Sequence, residues 1–210
     1  LAVEGEARST TATGNGPGTN NVLALTKIGK GTLTLSGMNS YTGPTTVSGG
    51  TLMVNGTLSG SSAVLIANGA TLSGTGTSSG AVTIAGGGTL APGSAGSGGT
   101  FQASGGLTLN HGSLLNIGLS ATGTSGRVAV TGSLVTGGTT TVNITALNGF
   151  GAGTYPLITS AAAVNPANFQ LGTTPAGYGY MLSAASGTLS LTVVAPAAPP
   201  TGLTATGGNS

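Results

Sequence analysis

Cysteine, tryptophan and aspartate are all absent from this chain of 210 residues, and only 3% of its residues carry charge. Without cysteine no disulfide staples the fold and no thiolate holds a metal. Without aspartate, calcium-binding turns built on recurring aspartates are excluded. The two carboxylates, Glu4 and Glu6, lie together near the start of the sequence. Glycoside hydrolysis takes two carboxyl groups about 5–10 Å apart across a sugar, and a pair in one terminal arm does not suggest that. His111 is the single histidine. It lacks partners for a metal site and for a nucleophilic triad, and beside Gly112 it reads as an exposed turn residue. The expectation is a protein that is not an enzyme, with no catalytic, cofactor-binding or metal site. No apolar run approaches the ~18 residues of a membrane-spanning helix. No basic cluster is present to release counterions from a phosphate backbone, so nucleic acid is not an expected partner.

What the chain has instead is 42 Gly, 9 Pro and 38% hydrophobic residues, with 3% aromatics and a mean hydropathy of +0.35. Disordered chains combine low hydrophobicity with high net charge. Here the net charge is +2, so an unfolded chain would aggregate rather than stay solvated, and a folded state is expected. The pI near 9.3 reflects four cations against two anions and says little about partners. The sequence opens at Leu1 with neither Met nor a signal peptide, which reads as a processed product or an excised piece.

Internal repetition dominates. Thr-Leu recurs at Thr32-Leu33, Thr51-Leu52, Thr71-Leu72 and Thr89-Leu90, so the leucines step by nineteen, twenty and eighteen positions. A second series, Val47, Val64 and Val82, falls between them in steps of seventeen and eighteen. Thr57-Leu58 lies outside this register. Thr32–Leu35, Ala81–Ile84 and Thr141–Ile144 alternate at period two, as half-buried strands do. Glycines sit between such segments, where sharp turns favour a residue without Cβ. No segment shows helical spacing, apart from the ambiguous run Ala161-Ala162-Ala163.

Two series locked to one period suit the coils of a stacked solenoid. An antiparallel β-sandwich also gives short strands and Gly-rich turns, but does not require a shared period. The expected fold is all-β, a right-handed parallel β-helix (β-solenoid) with about 18–20 residues per coil. Inward Leu, Val and Ile would form ladders, with Thr and Ser outward. Gly31 to Thr145 would then hold about six coils, roughly 30 Å of stack. The expected organisation is an N-terminal arm or partial coil (1–21), the repeat region (22–145), a closing β segment (146–194), and a Pro-rich linker with an orphan strand (195–210).

The stretch Leu25-Thr26-Lys27-Ile28-Gly29-Lys30-Gly31-Thr32-Leu33-Thr34-Leu35-Ser36-Gly37, continuing through Asn39-Ser40-Tyr41-Thr42-Gly43 to Thr51-Leu52-Met53-Val54, resembles the passenger-associated β-strand repeat of bacterial autotransporters. Gly88-Thr89-Leu90-Ala91-Pro92-Gly93-Ser94 resembles a segment that follows such repeats, and Gly149 to Ile158 resembles their closing segment. The resemblance implies a right-handed parallel β-helix, export, and an extracellular or surface location in bacteria. It brings no shared catalytic residue, and nothing in the chain resembles the membrane-barrel translocator. After the stiff segment Ala195–Pro200, Thr201-Gly202-Leu203-Thr204-Ala205-Thr206 resembles the opening strand of a fibronectin type III module.

Two functions follow as expectations. The first is a structural protein that associates with itself, head-to-tail or laterally, into a filament or matrix fibre. Glu4, Glu6, Arg8 and Arg127 are its candidate contacts, the acidic arm meeting Arg127 of a neighbouring copy. The plainer reading makes Glu4, Glu6, Arg8, Lys27 and Lys30 a solvated arm and Arg127 an isolated surface residue. The second function is an adhesin-type passenger or stalk displaying binding modules. Surface glycans are a further candidate partner, through Tyr178 and Tyr180, although these tyrosines can equally pack on the strand Leu189–Val193. Asn55-Gly56-Thr57 and Asn143-Ile144-Thr145 match the N-glycosylation acceptor pattern.

Overall fold

Alternation at period two puts Leu33 and Leu35 on one side of an extended segment, with Thr32 and Thr34 on the other. In the computed structural model, which describes residues 7–8, 24–60, 62–93, 97–121 and 125–197, that segment is a rung of a three-sided parallel β-solenoid. The first face stacks β2 (Leu25–Lys27), β5 (Thr45–Val47), β8 (Val64–Ile66), β11 (Val82–Ile84), β14 (Leu107–Leu109) and β17 (Leu134–Thr136) in parallel. On its outer edge β1 (Ala7–Arg8) pairs antiparallel with β2. The second face is β3 (Thr32–Leu35), β6 (Gly50–Val54), β9 (Ala70–Gly74), β12 (Thr89–Pro92), β15 (Leu114–Leu119), β18 (Thr140–Ala146) and β20 (Phe169–Leu171). The third runs β4 (Met38–Asn39), β7 (Thr57–Leu58), β10 (Thr77–Ser78), β13 (Thr100–Ala103), β16 (Arg127–Val130) and β19 (Gly153–Ser160), then ends in antiparallel β22 (Thr188–Val194) and β21 (Gly179–Ala185).

Register turns these rungs into columns. Leu33, Leu52, Leu72, Leu90, Leu115, Val142 and Leu171 face inward in one line along the second face. Leu52, Leu72, Leu90, Leu115 and Val142 are fully buried. Each such side chain contributes ~1.5–3 kcal/mol on burial, so this column supplies much of the driving force. Val47, Ile66, Ile84 and Leu109 form the matching column on the first face.

The two sequence series are thus two of three faces. Thr57-Leu58, which falls outside their register, is β7 of the third. That face hides in the sequence because its early rungs are two residues long and its inward column includes Ser78 and Ala103.

The coil length expected from the sequence describes only the first coils. Leu33, Leu52, Leu72 and Leu90 step by nineteen, twenty and eighteen positions along the inward column. Leu90 to Leu115 is then a step of twenty-five, Leu115 to Val142 of twenty-seven, and Val142 to Leu171 of twenty-nine. Much of the added chain lies in the crossing from second to third face. That crossing has two residues after β3, β6 and β9, seven after β12 and β15, and six after β18. Backbone hydrogen bonding fixes the rung spacing at ~4.8 Å whatever the perimeter, so crossings of different length leave the stack intact.

Where short coils turn, backbone stacks on backbone. A Cβ at Gly50, which has φ +63, would collide with the carbonyl oxygens of Gly29 and Gly31, and one at Gly56 with that of Gly37. Only glycine fits there.

Parallel stacking continues past the boundary drawn at 145, through β19 and β20. The hairpin of β21 and β22 then closes the third face antiparallel. Ala161–Ala163 is not helical; the nearby 3-10 turn is Pro166–Asn168, whose N-cap Asn165 accepts a hydrogen bond from the Ala167 amide at 3.1 Å. Thr201 to Thr206, the fibronectin-like strand, lies outside the described residues.

Candidate functional site

The densest group of unusual polar contacts lies in the first coils. Lys27 occupies an inward position, heading the column of Val47, Ile66 and Ile84, and its exposure is 0%. This corrects the expectation of a solvated arm: of the two lysines there, Lys30 is exposed and Lys27 is not. The Lys27 ammonium donates to the carbonyl oxygens of Ile28 at 2.7 Å, Gly29 at 2.9 Å and Gly49 at 3.1 Å. Its three N–H groups match three acceptors at a corner where glycine turns leave carbonyls pointing inward. Burial holds its pKa below the ordinary 10.5.

Asn39 and Tyr41 close the next corners. The Asn39 amide donates to the carbonyl of Gly37 at 2.9 Å. Tyr41 Oη and Thr45 Oγ1 are 2.7 Å apart, and Thr45 is itself fully buried and 3.3 Å from Ser62 Oγ. Burial raises the Tyr41 pKa, and the bond to Thr45 opposes that rise. These contacts tie successive turns together.

Elsewhere the candidate residues are dispersed. His111 is exposed in a turn, as expected, and its Nδ1 accepts from the Thr139 amide at 3.2 Å. Arg127 is exposed, and its Nε donates to Thr100 Oγ1 at 2.8 Å. Arg8 lies in β1, while Glu4 and Glu6 lie outside the described residues, so no pairing with Arg127 can be drawn. No group of three His, Cys, Asp or Glu suited to a metal occurs among the described residues.

Tyr178 and Tyr180 are half-buried beside the closing hairpin. Tyr178 meets Phe150 edge-on at 5.1 Å, and Phe150 stacks on Tyr155 at 6.3 Å. Tyr180 Oη donates to the Pro175 carbonyl at 2.7 Å, and burial followed by neighbouring Tyr178 raises its pKa. Tyr155 Oη donates to the Gly151 carbonyl at 2.8 Å. Phe150 thus links the rings of Tyr155 and Tyr178, while Tyr180 is held through its hydroxyl.

Both acceptor asparagines are engaged through their amides. Asn143 donates to Asn116 Oδ1 at 2.9 Å and accepts from the Thr173 amide at 2.9 Å. Asn55 Oδ1 lies 3.4 Å from the Thr75 amide. A missed signal was the position of Lys27 itself: two residues after Leu25 in an alternating strand, it had to share the inward side.

Comparison with known families bears on the same coils. Residues 25–54 match the passenger-associated-transport-repeat family. Over that stretch, a minor part of its length, the chain carries a repeat of the passenger-associated kind. The match takes in the first coil and part of the second, and so includes Lys27, Asn39, Tyr41 and Thr45. Each of these has a structural task in the repeat. No curated protein matches the chain. No helix among the described residues is long and apolar enough to cross a membrane.

Proposed function

We propose that this chain, which carries a passenger-associated repeat at residues 25–54, is a non-catalytic, extracellular segment of a bacterial surface protein, a rigid stalk that displays binding modules away from the cell. The observation that carries the reading is the asymmetry of the two ends. At one end β3 and β4 are the last described rungs of their faces, and Leu33 and Leu35 are only half-buried. At the other, the antiparallel pair β22 and β21 extends the third face beyond β19, with Leu189 and Leu191 of β22 buried. On that face the pairing changes from parallel to antiparallel, so its two ends do not match as the head and tail of one continuous parallel ladder. A series of rungs ~4.8 Å apart is stiff along its axis, which suits a spacer. The absence of aspartate and the confinement of glutamate to positions 4 and 6 support a role without catalysis.

Filament formation is the second reading, favoured by one observation. The edge of β21 carries no charge and no proline, and Met181 nearby is 60% exposed, so nothing blunts strand addition there. Light scattering and negative-stain imaging of the purified chain separate the two. Single short rods at micromolar concentration are expected of the stalk. Uniform filaments with an axial repeat would overturn it in favour of the polymer.

A further inference from the structure

The outward side of the second face bears a groove of about 340 Å³. Register builds its floor. Thr32, Thr51 and Thr71 stack in one outward column, and Met53, Ser73 and Ala91 in the next, each step being one strand spacing of ~4.8 Å. Asn116 and Leu147 line its far part. The groove owes its wall to the lengthened crossings, since Gly93, Ser97 and Leu147 belong to the bulges that follow β12 and β18. It therefore exists because the coils are unequal.

Two side chains here are incompletely used. Ser73 is only 7% exposed, and its Oγ is the single buried side-chain polar atom without a hydrogen bond among the described residues. A buried hydroxyl left without a partner is a cost to the fold. Asn116 accepts from Asn143 through Oδ1, which leaves its own Nδ2 group to donate outward.

The lining selects its ligand by elimination. None of the described lining residues is ionisable, so a charged ligand would lose hydration with no counter-charge. None is aromatic, so a nucleobase or other planar ring finds no stacking partner. The backbone beneath is already paired on both sides in the ladder, so an extended peptide cannot join as a strand. What remains is a mixed surface: a periodic set of hydroxyl and carboxamide groups able both to donate and to accept, set among the apolar Met53, Ala91, Pro92 and Leu147, on which the C–H faces of sugar rings can lie. We propose that this groove binds a linear, neutral oligosaccharide laid along the solenoid axis, with Thr51, Thr71 and Asn116 as its hydrogen-bonding contacts and the unpaired Ser73 Oγ in the floor beneath them. The site is separate from Tyr178 and Tyr180, and it goes beyond the stalk reading without depending on it.

The test is a titration of the full chain with cellohexaose, maltohexaose and N-acetylchitohexaose, followed by backbone amide NMR shifts. At least one sugar should give saturable shifts centred on β6, β9 and β12. The double variant Thr51→Val, Thr71→Val should weaken its binding about tenfold, as expected for two lost hydrogen bonds. Ala91→Leu, whose side chain points outward into the groove, should abolish the shifts while leaving the thermal midpoint unchanged, which guards against a folding artefact in the threonine pair. Tyr178→Ala should bind normally. The proposal is overturned by no saturable shift with all three sugars at ~10 mM, a concentration that detects even weak sites. It is equally overturned by binding that survives Ala91→Leu, by shifts centred on Tyr178 and Tyr180, or by stronger binding of anionic polygalacturonate at the same residues.

Discussion

The coils from Leu33 to Leu90 and those from Leu90 to Leu171 keep the same inward column with different amounts of chain. In the early coils a step takes no more than twenty positions, the crossings to the third face have two residues, and the rungs there are two residues long. Little aliphatic surface is available in so small a perimeter. Polar side chains therefore finish the interior: Lys27 against three carbonyls, and Thr45 against Tyr41 and Ser62. In the later coils a step takes twenty-five positions or more, and the third-face strands lengthen to eight residues in β19. Phe101, Tyr155 and Phe169 enter the buried set there. The difference teaches that rung spacing and perimeter are independent. Hydrogen bonds between coils fix the first, while crossing length and strand length set the second. The passenger-repeat match falls on the narrow part, which holds the buried Lys27 and Thr45, while the wider coils bury the hydrogen-bonded pair Ser113 and Thr140.

The comparison can be broken first at its shared feature. Leu72 and Leu115 are both fully buried in the same column. Leu72→Ala should cost ~3–5 kcal/mol and Leu115→Ala ~2–4 kcal/mol, since the wider coil has more freedom to collapse around the cavity. Urea unfolding of the two variants checks the order, and an equal or reversed order would contradict the view that the wider coil relaxes more readily around a cavity.

The polar interior comes next. Lys27→Met keeps the aliphatic stem and removes the donors to Ile28, Gly29 and Gly49, for an expected loss of ~2 kcal/mol. Lys30→Met, at an exposed position, should change stability by less than ~0.5 kcal/mol. The same buried lysine predicts a pH effect. The Lys27 pKa is held below 10.5 in the folded state, so the unfolded chain binds the proton more readily. Stability should therefore rise as pH climbs from the folded value towards 10.5, and Lys27→Met should lose that rise. Tyr41, whose pKa is raised above 10.0, lowers stability only from about that pH upward.

Smaller effects are expected at the far end. Tyr155→Phe removes the hydrogen bond to the Gly151 carbonyl from a side chain 1% exposed, and should cost ~1 kcal/mol in thermal unfolding. Arg127→Gln removes one exposed contact to Thr100 and should alter stability by less than ~0.5 kcal/mol. If it nevertheless abolishes an association seen in light scattering, the pairing of Arg127 with an acidic arm is restored as a contact between copies.

The stacked fold was legible because Thr-Leu pairs at nearly equal steps mark one inward column and the valine series marks another. The third face was not, because two-residue rungs with inward Ser78 or Ala103 carry no hydrophobic alternation to read. Lengthening of the coils was also hidden. Residues added in an outward crossing leave the inward pattern within each strand unchanged, so Leu114 to Leu119 reads as a strand without revealing how far it lies from Leu90. The dearth of catalytic candidates came directly from composition. The groove could not be read at all, since it depends on Thr51, Thr71 and Ser73 sharing a face with bulges that follow them much later in the chain.

One measurement tests in-register stacking through unequal coils most directly. The chain has no cysteine, so labels attach only where cysteines are introduced. Thr26 and Val135 both face outward on the first face, separated by the column Thr46, Leu65, Thr83 and Thr108. Spin labels at Thr26→Cys and Val135→Cys should give a narrow distribution centred about 24 Å apart, five strand spacings along the axis. A broad distribution, or a centre well away from that distance, would mean that the later coils do not continue the stack of the first.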